Sequence, residues 1–85
     1  MGPSTGEAVE VEAFFSPRAL HPRPLSLRWR GRRVSVEKIH LVHEAWEGDS
    51  RFLFYSLTAG GAFLELRYDS KRARWTAAAG SQAEG

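Results

Sequence analysis

Two histidines three apart, His40 and His43, and five arginines between residues 23 and 33 are the side chains whose spacing first invites chemistry. Imidazoles at that spacing share a face on a helix, whereas on a strand they point to opposite sides. The third histidine, His21, lies in a proline-bearing segment, and the chain has no cysteine to complete a zinc set. No metal site and no cofactor are therefore expected. The serines and threonines form no Gly-x-Ser-x-Gly elbow. Gly60-Gly61 lacks the Lys-Ser/Thr that closes a phosphate loop and reads as a hairpin turn. Glu44, Glu47 and Asp49 read as the solvated end of a strand and its turn rather than an acid/base cluster. No catalytic residues are assigned, and the chain reads as a non-enzyme.

The arginines differ in kind. Within Leu25-Ser-Leu-Arg-Trp-Arg-Gly-Arg-Arg-Val-Ser-Val36, the residues Arg28, Arg30, Arg32 and Arg33 crowd one hairpin tip, with Arg23 just before it. Guanidinium forks match phosphate oxygens. Basic residues interleaved with aromatics are what single-stranded nucleic-acid surfaces use, the charge following the backbone and the rings stacking on bases. Phe52, Phe54 and Phe63, beside Arg67 and Arg74, supply such rings if their face is open; the competing reading makes them a second wall of the core. Arginines at a hairpin tip also keep sheet edges from pairing, which accounts for them without a ligand.

Charge is segregated along the chain. Residues 1–15 carry −3, residues 16–38 carry +6, residues 39–66 carry −3 and residues 67–76 carry +3, within a formal total of +2. Alternating blocks make an anion-attracting face if the basic ones meet, although a charged surface is first a solubility device. At 85 residues the chain is one domain, burying roughly 60% of the surface its unfolded form exposes. Without cysteine, apolar packing alone must hold it. The first residues carry neither the basic flank nor the apolar run of a signal peptide, and nothing approaches the ~20 apolar residues of a membrane span. A cytoplasmic protein with no membrane partner is expected.

The elements that position these groups are strands. Ala8–Phe15 alternates Val9, Val11 and Ala13 against Glu10 and Glu12, the period of a half-buried edge strand. Pro17, Pro22 and Pro24 make the next segment a connecting loop. With Gly31-Arg32 central in a type II′ turn, Trp29 would oppose Val34 and Leu27 would oppose Val36. Val36 and Ile39 have opposite parity, so one bulge near Glu37-Lys38 is expected. Residues 35–47 read as strand on their Val/Ile content, the competing reading being a helix. Gly60-Gly61 pairs Leu57 with Leu64, Tyr55 with Leu66 and Leu53 with Tyr68; Ser70-Lys71 in the next turn pairs Leu66 with Trp75. Residues 1–7 and 79–85 read as frayed tails around a single β domain at 8–78.

Trp29-Arg-Gly-Arg-Arg33 with Val36, Trp46, the run Gly60-Gly-Ala-Phe-Leu-Glu-Leu66 and Trp75 together resemble a small uncharacterised bacterial domain. That domain occurs alone and near the C-terminus of ImuB-type proteins, relatives of Y-family translesion polymerases. The resemblance covers about residues 23–76 and implies a compact β module in a DNA-repair setting, with no catalytic residues to carry over. The chain differs from the pattern at Val34, where an aromatic is usual, and in the alanine-rich run after Trp75.

The expected fold is all-β, a bent antiparallel meander or a small SH3-like or OB-like barrel of five to six strands. The expected function is a non-enzymatic binding module contacting DNA or RNA through Arg28, Arg30, Arg32, Arg33, Arg67 and Arg74. The alternative is a protein–protein or homodimerisation module that pairs through its N-terminal strand or through exposed phenylalanines.

Overall fold

In the computed structural model, which describes residues 6–80, one antiparallel seven-stranded sheet curls into a half-barrel. The strands are β1 Glu7–Ala8, β2 Val11–Phe14, β3 Arg23–Trp29, β4 Arg32–Glu47, β5 Ser50–Ala59, β6 Ala62–Asp69 and β7 Arg74–Ala79. Their order in the sheet is β1-β7-β6-β5-β4-β3-β2. Most of the two expected tails lies outside the described residues, but Glu7 and Ala79 belong to strands.

The two outermost strands of that order are consecutive in the chain. β1 pairs with β7 and β2 pairs with β3. Between them the Val9 amide donates to the Trp75 carbonyl at 3.1 Å, and the Glu10 carbonyl accepts from the Arg28 amide at 3.0 Å. The segment expected as one edge strand is therefore a strap of two short strands joining both ends of the curled sheet, and the sheet has seven strands where five to six were expected. Its alternation is as the sequence dictates, with Val9, Val11 and Ala13 packed against the core.

A sixteen-residue strand makes the curl. β4 pairs with β3 through residues 32–35 and with β5 through residues 36–47, and its register slips twice, between Val36 and Lys38 and between Ile39 and Leu41. One bulge was expected. The second arises because Ile39 and Val42 also differ in parity, so keeping both against the core takes another extra residue. Leu41 is thereby turned outward and is 61% exposed.

Inside the curl Leu27, Leu53, Leu57, Leu64 and Leu66 pack with Tyr55 and Trp75 as one buried cluster. Trp75 stacks at 4.4 Å on Tyr68 and 5.8 Å from Tyr55. The Tyr55 hydroxyl donates to the Pro22 carbonyl, tying the proline loop to the core. Burial pushes the Tyr55 phenol up to about 12, against the opposing pull of Arg51.

The β5–β6 hairpin has the expected register, Leu57 opposite Leu64, Tyr55 opposite Leu66 and Leu53 opposite Tyr68. Gly60 has φ +58°, and a Cβ there would meet the Val34 Cγ1 at 2.5 Å, so only glycine fits under the neighbouring hairpin. The other two hairpins differ from expectation by two residues. In β3–β4, Leu27 opposes Val34 and Trp29 opposes Arg32. The central pair is Arg30-Gly31, both left-handed at φ 52° and 82°, the geometry of a type I′ turn. In β6–β7, Tyr68 opposes Trp75 and Leu66 opposes Ala77. There the Asp69 carboxylate accepts from the Lys71 and Arg72 amides at 3.1 and 3.2 Å. Ala73 takes φ 53°, so a four-residue loop replaces the expected two-residue turn.

Candidate nucleic-acid interface

The β3–β4 hairpin brings Arg28 and Arg33 face to face, directly opposite on the ladder. Both point away from the core because Leu27 and Val34 point into it. The left-handed turn puts Arg30 at the tip, its guanidinium 4.7 Å above the Trp29 ring. Arg30 therefore belongs to the turn rather than to the strand face that carries Arg28 and Arg33. Arg32 opposes Trp29, and Arg23 begins β3. Arg67 and Arg74 lie on β6 and β7, in the other part of the sheet. Arg67 stacks on Phe52 at 4.4 Å, and Arg74 opposes Asp69.

The sequence did not announce how the strap meets this hairpin. Its polar side, Glu10 and Glu12, falls beside the polar side of β3. Arg33 Nη1 donates to the Ser26 hydroxyl at 2.9 Å, Ser26 donates to Glu12 Oε1 at 3.2 Å, and Arg33 lies 3.8 Å from that same oxygen. Arg33 is thus partly neutralised. Among the described residues, Arg23, Arg28, Arg30 and Arg32 have no carboxylate within 4 Å, and all four are exposed. The complementary polar faces of Ala8–Phe15 and of the hairpin were the signal that could have revealed the Glu12–Arg33 pair.

Elsewhere Arg51 pairs with Glu44, Lys71 with Asp49 at 3.0 Å and Arg72 with Asp69 at 3.0 Å, whereas Arg18, Lys38, Arg67 and Arg74, like the four hairpin arginines, have no carboxylate within 4 Å among the described residues. Partial burial pushes the Asp69 carboxyl up, but hydrogen bonds from the Arg72 side chain and the Arg72 and Lys71 amides outweigh it and hold it below its usual range.

No protein-family model, curated protein or solved structure matches this chain. The site is read from its own residues alone.

Three phenylalanines occupy the outer face. Phe52 is 5% exposed, while Phe54 and Phe63 are half-buried. Neither expectation for this trio holds whole: Phe52 is covered, and the other two are partly open. The two histidines expected on opposite faces share this one, because the second bulge of β4 lies between Ile39 and Leu41. His40 rests on Phe63 at 5.4 Å and makes a 2.8 Å hydrogen bond between Nε2 and the Thr58 hydroxyl. His43 rests on Phe54 at 5.1 Å. Among the described residues no three His, Asp or Glu side chains converge as a metal set.

Proposed function

We propose that this chain is a non-enzymatic binding module that contacts nucleic acid through the β3–β4 hairpin. The observation that carries the reading is the set of exposed guanidiniums at Arg23, Arg28, Arg30 and Arg32 without a carboxylate within 4 Å among the described residues. Phosphates would supply the missing counter-charge, and a protein that neutralises several of them binds with a strong salt dependence. A DNA-repair accessory role accords with the motif resemblance of residues 23–76. The test is binding of labelled single- and double-stranded oligonucleotides at low salt, for the native chain and for Arg28→Glu/Arg30→Glu/Arg33→Glu. Loss of binding in the variant supports the hairpin; undetectable binding by the native chain, or equal binding by both, rules it out.

A second reading rests on the apolar surface. Trp46 and Leu41 are each 61% exposed, and Phe14 and Phe15 each 59%, large apolar side chains of the kind that protein interfaces cover. A protein partner or a second copy would cover them. Light scattering after size exclusion discriminates: a monomer at high concentration removes the homodimer form of this reading.

A further inference from the structure

The hairpin arginines stand at one end of a longer track. Beyond Arg33, β4 continues outward through Lys38, which opposes Thr58, and through His43, which opposes Phe54. Phe54 in turn opposes Arg67. Cross-strand partners share a face, so Lys38, Phe54 and Arg67 lie on the same outer surface as the His40–Phe63 pair. An ideal straight strand would cover about 33 Å from Arg33 to His43 at about 3.3 Å per residue, and the two bulges and the curl shorten that path. At about 3.4 Å per phosphate along a stacked strand the track accommodates fewer than about ten phosphates, inside the roughly 4–16 nucleotides that small β modules bind.

The track is chemically two-sided. Basic groups line its β3–β4 side, and half-buried rings line its β5–β6 side. Glu65, opposite Ser56, and Arg67, opposite Phe54, are both exposed on that second side, so their charges offset there, while the hairpin arginines and Lys38 leave the first side basic. The backbone of a bound strand follows that basic side, with its bases turned toward Phe54 and Phe63. Both rings already carry a flat group at stacking distance: the His43 and His40 imidazoles lie 5.1 and 5.4 Å away, inclined by 35° and 41°. Both imidazoles are exposed. His43 has no hydrogen bond from its ring to the described residues, and His40 has one, to Thr58.

Building on the nucleic-acid reading above, we infer that the ligand is a single strand whose bases stack on Phe54 and Phe63, displacing or extending the imidazole stacks. A duplex keeps its base faces inside its own helix and cannot use these rings, whereas an unpaired strand offers one face per nucleotide.

The test uses a fluorescein-labelled oligo-dT of about 15 nucleotides and a duplex of equal length, read by anisotropy at low salt, together with ultraviolet crosslinking of the native chain to the oligo-dT. Tighter binding of the single strand by about tenfold or more is expected. Phe54→Leu and Phe63→Leu, with unchanged circular dichroism, should each weaken it by roughly five- to a hundredfold and leave the duplex unaffected. Crosslinked adducts should map to peptides containing Phe54 or Phe63, a readout independent of whether the variants fold. Equal affinity for both probes, or adducts confined to other peptides, overturns the stacking assignment. If binding is then still abolished by Arg28→Glu, only the stacking falls and the hairpin reading stands; absence of binding to either probe removes both.

Discussion

Arg28 lies directly across the antiparallel ladder from Arg33, two guanidiniums opposed on an outward face. Like charges in that position destabilise a sheet, by roughly 0.2–1 kcal/mol on the scale of cross-strand pairs. Only Arg33 has relief, from Ser26 and Glu12. Stability and binding therefore pull apart here. Arg28→Thr should raise the urea midpoint at constant slope while weakening oligonucleotide affinity, both measurable on one preparation. A variant that lost stability would mean the pair is compensated in solution.

The Gly60 turn and the β3–β4 hairpin meet at Val34. Gly60→Ala puts a methyl into the Val34 side chain, 2.5 Å from Cγ1, at a left-handed φ. A cost of about 1–3 kcal/mol is expected from overpacking and strain. Val34→Ala in the same chain should recover part of it, and a double-mutant cycle by urea denaturation reads the coupling. Strict additivity would deny the contact.

Tyr55 makes stability pH-dependent in the alkaline range. Its phenol is raised from 10.0 to about 12 by burial, with Arg51 opposing. The unfolded chain thus loses this proton first. The neutral phenol contributes its full stability below pH 10, and the contribution declines as pH rises from 10 toward 12, by at most about 3 kcal/mol. Tyr55→Phe should flatten that decline. At neutral pH it should also cost about 1–3 kcal/mol, because the Pro22 carbonyl loses its donor. Denaturant titrations at pH 8 and pH 11 provide the comparison.

Closure by the strap is separable from the core. Val9→Pro deletes the amide that donates to Trp75 and leaves Leu27, Leu53 and Leu64 in place. Destabilisation by about 1–3 kcal/mol is expected, with faster hydrogen exchange at β7 than at β5. Uniform exchange across both strands would show that closure is not a separate unit.

What could be read in advance was the face, and less often the register. The β5–β6 pairing of Leu57 with Leu64 was legible because Gly60-Gly61 allows one short turn. At the other hairpins Leu27 and Trp75 have the expected side but partners two residues away. A slip of two preserves parity, and the left-handed residues that cause it are Arg30 and Ala73, which composition does not mark as turn formers. Likewise the arginine hairpin was visible, while the His40–Phe63 and His43–Phe54 stacks depend on a second β4 bulge that no single residue announces. Glu12 beside Arg33 required knowing that residues 7–14 bridge both ends of the sheet.

The most direct measurement is the salt dependence of oligo-dT binding. For a single strand the slope of log affinity against log salt is about −0.7 per phosphate neutralised. The native hairpin, with Arg23, Arg28, Arg30 and Arg32 all engaged, should give a slope near −3. Replacing Arg28, Arg30 and Arg32 by alanine should shrink its magnitude by about 2. A slope unchanged by the three replacements, or no binding even at low salt, would contradict the assignment of this hairpin as a nucleic-acid contact.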